Sequence, residues 1–379
     1  MPDRNRILII HPHLHILGGS EKLTKILIYE LAEMENEILV LTSVRNEQEF
    51  PEMKNVKYRL IKDIKVEARS EKTSKILNIV YTLDDAVADF DPNVTLVMMQ
   101  EPIYSMALKM VRPELGDAMY IHYPFEEELT QENLKVFLKL YRFPNMYVDF
   151  YGIADLHMTN SNYTARALYS KFHIESNVVY PAVSWDYFKG QVDLESKRDN
   201  VIVSVGRFVP QKRHHVLLNW FEQIIKPKIP DAKLVIIGLP DARYKDYYDM
   251  LKERIAKMED VEFIDRPMSD HEIAKYYSEA KVYVHLRIGE HFGMAPVEAM
   301  SQGAIPVLPK LSGLAELITQ GRDGFAYEND EEAAKYIVKI LSMPHEEVVK
   351  IRTAAYMKAW YFNPDRFAKQ ILNYLKILI

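Results

Sequence analysis

RILIIHPHLHILGGSEKLTKILIYELAEM, residues 6–34, runs from an apolar stretch through two glycines into a long amphipathic stretch. RILII (6–10) is short, apolar and rich in β-branched residues, which reads as a buried strand. After Ser20, residues Leu23, Ile26, Leu27, Leu31 and Met34 recur at helical spacing and give one core-facing stripe. A strand, a glycine turn and a helix in that order open a βαβ unit of a parallel sheet.

The same alternation continues outward. Strand candidates follow at 37–43, 94–100, 118–124, 156–161 and 177–182, with helical segments between several of them. A polar stretch, FKGQVDLESKRDN (188–200), interrupts the pattern, and the alternation then restarts with VIVSVGRF, AKLVIIGLP, VEFIDR, KVYVHLR and IPVLPK. Helices are expected from about 213, 244 and 270, near 295–302, and from Pro364 to the end. The expected organisation is two doubly wound α/β domains, 1–190 and 191–360, with 361–379 as a helix returning to the first.

Composition fits this size and limits the function. At 379 residues the chain is too long for one ordinary core. It has no cysteine, which excludes disulfides, thiolate metal sites and a cysteine nucleophile, and is compatible with a reducing cytoplasmic compartment. A net charge of −6 and a pI near 6.1 argue against a general nucleic-acid binder. The first apolar run is broken by His11 and Pro12, too early for a signal peptide or a membrane span, so the expectation is a protein that is soluble or at most peripheral to the cytoplasmic face of a membrane.

Several loops at the carboxyl ends of strands carry chemistry. Gly18 and Gly19 let a ligand touch the main chain where a helix begins, although an ordinary tight turn has the same sequence. In VSVGRFVPQKRHH, Arg207 and Lys212 offer a bidentate fork and a mobile ammonium, a pair suited to a diphosphate, or simply a solvated basic loop. In EHFGMAPVEAM, Glu290 precedes a helix start whose amides at Phe292, Gly293 and Met294 can hold an anion or hydroxyl. Glu298 lies on that helix, where it can reach a diol or face solvent.

Together, the GG-x-E loop, G-R-x4-K, and E-x7-E within E-H-F-G-x-x-x-x-E-A-M-x-x-G resemble the GT4 family of retaining glycosyltransferases across essentially the whole chain. The resemblance implies a GT-B architecture, in which two Rossmann-like domains face each other across a cleft. It also implies that Arg207 and Lys212 bind the donor diphosphate, Gly18 and Gly19 let the first domain close on it, and Glu290 faces hydroxyls of the transferred sugar. The amides of Phe292, Gly293 and Met294 would support sugar and phosphates, Glu298 would hold the ribose, and Asp265 and Arg266 in FIDRPMSDHEI (263–273) would flank the base. His122 in YIHYPF corresponds to the histidine beside the donor sugar; a histidine satisfied within the core is the alternative. YIHYP, TNSNYTARAL and VVYPAV look like the mannosyltransferases that extend lipid-linked oligosaccharides from GDP-mannose. The chain departs from the family in placing Arg213, His214 and His215 where glycine or asparagine commonly follows the motif lysine.

The implied reaction is metal-independent transfer with retention, the leaving diphosphate being stabilised by fixed donors and the acceptor attacking from the same face. A double displacement needs a β-face carboxylate, which the matched motifs do not offer. No cofactor is expected; the partners are a nucleotide sugar and a glycan or lipid-linked acceptor. A nucleotide-sugar epimerase and a catalytically silent sugar-nucleotide-binding module stay open as alternatives. His11, His13 and His15 lack a matching carboxylate cluster for a metal. Residues 132–152 interleave Lys135, Lys139 and Arg142 with aromatic side chains, which suits either an anionic membrane interface or an ordinary helix with surface lysines.

Overall fold

The structure is a computed structural model and describes residues 4–15, 18–61, 71–124 and 151–379. The chain divides into two compact units, residues 1–182 with 364–379, and residues 183–363.

In the first unit the strands are β1 (Arg6–Ile10), β2 (His13–Leu14), β3 (Glu37–Thr42), β4 (Val44–Arg45), β5 (Val56–Leu60), β6 (Val94–Val97), β7 (Asp117–Ile121), β8 (Leu156–Thr159) and β9 (Asn177–Val178). Seven of them form one parallel sheet in the order β5-β3-β1-β6-β7-β8-β9, while β2 and β4 pair separately. β1 is apolar throughout because both its faces are covered. Ile7 and Ile9 pack with Leu23, Leu27 and Leu31 of the helix Gly19–Glu33. Leu8 and Ile10 turn the other way, toward Leu83 and Leu108. The last helix, Pro364–Leu375, lays Phe367, Ile371 and Leu375 into the same core as the Gly19–Glu33 helix.

The second unit contains β10 (Val201–Val205), β11 (Lys233–Ile237), β12 (Val261–Ile264), β13 (Val282–Val284), β14 (Ile305–Pro309) and β15 (Phe325–Tyr327). They form a parallel sheet in the order β12-β11-β10-β13-β14-β15. β5 and β15 are elements that sequence periodicity did not signal. Both are edge strands, so each needs few apolar residues, and β15 is only three residues long.

Residues 183–190 belong to the second unit, whereas the polar stretch had placed the division at 190/191. The Val183 amide donates to Phe362 O at 3.0 Å, and Gln302 Nε2 donates to Tyr187 O at 2.7 Å. The stretch looks like a linker because most of its side chains are polar, yet its carbonyls are held: Arg352 Nη1 donates to Leu194 O and Ser196 O. Arg198 in turn donates to the carbonyls of Tyr277, Ala280 and Gln302.

Among the described residues no helix is long and apolar enough to cross a membrane. Lys135, Lys139 and Arg142, the basic members of the 132–152 stretch, lie outside the described residues.

Candidate functional site

Parallel sheets whose strand order reverses leave a crevice at the carboxyl ends of the two strands flanking the reversal. In the second unit those strands are β10 and β13, which pair directly, Val203 against Tyr283. The loop after β10 carries Gly206, Arg207 and Lys212; the loop after β13 carries Arg287 and Glu290. Two stretches more than seventy residues apart in sequence therefore share one edge of one sheet.

Glycine is required where β10 and β11 end. A Cβ on Gly238 would sit 2.1 Å from Gly206 O, so no side chain fits. A Cβ on Gly206 would press at 3.3 Å on the aliphatic stem of Lys212, which crosses over it. Lys212 ends a short 3-10 turn, Pro210–Lys212, and its ammonium reaches Glu290 Oε2 at 2.5 Å. Glu290 is 9% exposed. Burial alone would push its carboxyl up, but the Lys212 ammonium and the His285 N–H hold it well below the usual range. His285 Nε2 donates to the same Oε2 at 2.9 Å, while Arg287 stands 3.8 Å from Oε1. The two residues expected to serve phosphate and sugar separately are thus ion-paired with each other.

The peptide around Glu290 is pinned as well. Its carbonyl accepts from the Gly313 amide at 2.9 Å, and Phe292 O accepts from the Leu314 amide at 3.0 Å. Phe292 is buried against Phe362, and Gly293, at φ +93°, turns the chain into the helix Met294–Ser301. Glu298 lies on that helix and accepts from Tyr277 OH at 3.3 Å.

Three predicted residues are placed differently. Arg207 is largely exposed and contacts Asp241 at 3.4 Å rather than Glu290. The Arg243 guanidinium, assisted by Arg207, pulls the Asp241 carboxyl down to about 2. Asp265 follows β12, at the far edge of the sheet, and accepts from Tyr248 OH at 2.6 Å and Lys252 at 3.1 Å. Arg266 pairs with Glu272 at 3.0 Å.

Arg213 explains the departure from the family pattern. It adopts φ +51°, a left-handed conformation that favours glycine or asparagine. The arginine compensates with a two-pronged pair to Asp330, at 2.8 and 3.0 Å. Arg213→Ala keeps the backbone strain and removes the pair, so we expect urea unfolding to report a loss of about 1–2 kcal/mol. Arg213→Gly relieves the strain while losing the pair and is expected to stay within about 1 kcal/mol of wild type. Equal stability of Ala and wild type would mean that the pair contributes nothing, and equal stability of Ala and Gly that the strain does not.

In the first unit, Gly18 caps the helix Gly19–Glu33 and Glu21 folds back over it: a Cβ on Gly18 would lie 2.6 Å from Glu21 Oε2. Burial raises the Glu21 carboxyl, and hydrogen bonds from its own amide, Ser20 and the Gly18 amide oppose that rise. Any anion approaching these amides meets a carboxylate already there. His122 follows β7, with Nε2 3.3 Å from Met98 O and its ring edge-on to Tyr120. His11, directly after β1, is fully buried; burial, aided by His122 and His13, lowers it to about 3.

His285, Tyr283, Arg287 and Asp241 were not singled out from sequence. A histidine inside an apolar strand run, two residues after a tyrosine and so on the same face, was the available signal in KVYVHLR.

Residues 189–358 match the family described as "Glycosyl transferases group 1". That stretch, most of the second unit, is therefore similar to the GT4 family. The chain is 32% identical over 241 residues to the human "GDP-Man:Man(3)GlcNAc(2)-PP-Dol alpha-1,2-mannosyltransferase", covering 58% of this chain and 48% of that protein. The protein of the same name from Dictyostelium discoideum is 28% identical, with 69% and 59% covered. The human "Alpha-1,3/1,6-mannosyltransferase ALG2" is 24% identical, with 79% and 76% covered. The matched region thus spans about half the length of the first two relatives. Among solved structures, Anabaena Alr3699/HepE with UDP and glucose superposes at a TM-score of 0.76 and 19% identity, covering 98% of this chain and all of that one. Sucrose-phosphate synthase from Thermosynechococcus elongatus gives 0.78 at 16% identity, with 99% of each chain covered. These likenesses establish the fold class of the chain as that of GT-B glycosyltransferase structures, with two Rossmann-like α/β units.

Proposed function

We propose that this chain is a retaining GT4 glycosyltransferase that moves mannose from GDP-mannose to a hydroxyl of a glycan or lipid-linked acceptor. The observation that carries the reading is the Lys212–Glu290 pair at the strand-order reversal of the second unit. Breaking a glycosyl–phosphate bond builds negative charge on the diphosphate and positive charge on the sugar. Fixed donors aimed at the leaving group lower that barrier without rearrangement. Lys212 and Arg207 supply the cations, and the amides of Phe292, Gly293 and Met294 supply neutral donors beside them. Binding the diphosphate draws Lys212 from Glu290, whose carboxylate then accepts a sugar hydroxyl. Glu298 takes the ribose, Asp265 and Arg266 flank the base, and Gly18, Gly19 and His122 serve from the first unit. The acceptor hydroxyl attacks the anomeric carbon on the face the phosphate leaves, and its proton passes to a departing phosphate oxygen. The two cations do the charge balancing for which other transferases use a divalent ion, so EDTA leaves the rate unchanged.

The choice of GDP-mannose follows the mannosyltransferase relatives, and the basic, aromatic 132–152 stretch makes peripheral contact with the acceptor's membrane. A donor binding only the folded state raises its stability by mass action. Thermal shifts with GDP-mannose, UDP-glucose, UDP-galactose and UDP-N-acetylglucosamine are expected to be largest for GDP-mannose. A larger shift with any UDP-sugar reassigns the donor, and no shift with any of them rejects the reading.

A further inference from the structure

Glu290 accepts two hydrogen bonds on one oxygen, Oε2, from Lys212 and His285. The His285 ring is held at both ends. Its Nε2 faces a carboxylate that stays ionised and can only accept, so Nε2 carries the hydrogen. Its Nδ1 lies 3.3 Å from Tyr283 OH. A neutral imidazole with Nε2–H has its lone pair on Nδ1, facing the Tyr283 hydroxyl, whose one hydrogen is shared between that lone pair and Val205 O at 3.5 Å. The backbone of His285 is equally fixed: its amide donates to Val307 O at 2.9 Å, and its carbonyl accepts from Tyr327 OH at 3.0 Å. Burial, with Lys212 and Arg287 nearby, disfavours the imidazolium against the pull of Glu290.

We infer that His285, oriented by Tyr283, is a positioning residue: its Nε2–H fixes the Glu290 carboxylate in one rotamer, with Oε1 presented to a donor-sugar hydroxyl. Diphosphate binding removes Lys212 from Oε2, and His285 is then the group that keeps the carboxylate from swinging. This rests on the proposed function, because it gives Glu290 a sugar hydroxyl to read.

Three measurements on the full chain test it. First, long-range ¹H–¹⁵N spectra of histidine-labelled wild type at pH 7 are expected to show His285 as the Nε2–H tautomer; an Nδ1–H tautomer or an imidazolium overturns the inference. Second, His285→Leu is expected to lower kcat/KM for the sugar donor about 30- to 100-fold, as loss of a hydrogen bond to a charged group implies. Its affinity for GDP, measured by calorimetry, is expected to stay within about threefold of wild type, since Arg207 and Lys212 remain. Third, His285→Gln restores an N–H near the Nε2 position and is expected to recover to within about tenfold of wild type. Equal impairment by Leu and Gln, or unimpaired transfer by a folded Leu variant, overturns the inference. Wild type that transfers no sugar from any donor rejects the proposed function, and with it the sugar-reading role of Glu290; the tautomer then decides only whether His285 holds the Glu290 carboxylate.

Discussion

Lys212→Ala is expected to reduce sugar transfer by about 10²–10³-fold, the cost of removing one preorganised donor from a developing anion. The physical basis is local. The ammonium is mostly covered, its stem lies over Gly206 where no larger residue fits comfortably, and it is ion-paired with the nearly buried Glu290. The same substitution leaves Glu290 with His285 and Arg287 as its remaining polar neighbours. Removing one member of a covered pair costs stability, and the surviving donors with entering water moderate it to about 1–3 kcal/mol. A loss of that size leaves a domain folded at 25 °C, so the rate falls much further than the folded fraction does. The double variant Lys212→Ala, Glu290→Ala completes the cycle: the pair acts as a unit, so the two losses in rate are expected to add to less than their sum. Wild-type turnover by purified Lys212→Ala would remove the diphosphate assignment.

Acid is expected to destabilise both units well above the carboxylate range. His11 and His214 are buried and held neutral, burial lowering them from 6.5 to about 3 and about 4, and His285 is lowered for the same leading reason. The folded state thus binds fewer protons than the unfolded chain between roughly pH 6.5 and those lower values, and stability rises with pH in that window. It is fully present above about pH 6.5 and is lost as pH falls toward 4. At pH 5 each of His11 and His214 withdraws about 2 kcal/mol, from 1.36 kcal/mol per unit over about 1.5 units. Two carboxyls oppose this, since burial raises Glu21 and Asp117 and so favours the folded state as they protonate. Asp241, held near 2, stays ionised throughout and adds nothing to the difference between pH 7 and pH 5. Urea unfolding at pH 7 and pH 5 is expected to show the net loss. His11→Asn flattens the slope in the first unit and His214→Asn in the second. A stability independent of pH over that range would show that these rings are not held neutral.

The candidate site residues could be named from sequence because they sit on short motifs. GRFVPQK and EHFGMAPVE mark cations, carboxylates and helix-start amides by type and spacing, and those sequence features need no tertiary knowledge to read. The Lys212–Glu290 pairing was not legible, because sequence separates the two by 78 residues and only the adjacency of β10 and β13 brings their loops together. His285 was hidden for a related reason. Its chemistry comes from what lies on either side of it in the fold, Tyr283 and Glu290, rather than from any motif of its own. Asp265 and Arg266 show the converse: the sequence marks their charge, and the structure shows that charge shared with Tyr248, Lys252 and Glu272.

Sequence by itself determined the class of this protein. Apolar runs of strand length alternating with amphipathic helices can bury both faces of a parallel sheet. Tertiary structure alone decided the order of strands, and with it which loops meet. It also decided that 183–200 is tied down by Arg198 and Arg352, and which oxygen of Glu290 is already occupied. The physical reason is range: burial patterns and turn preferences act between neighbours in the chain, whereas strand order and ion pairing depend on contacts that close only when the whole sheet assembles.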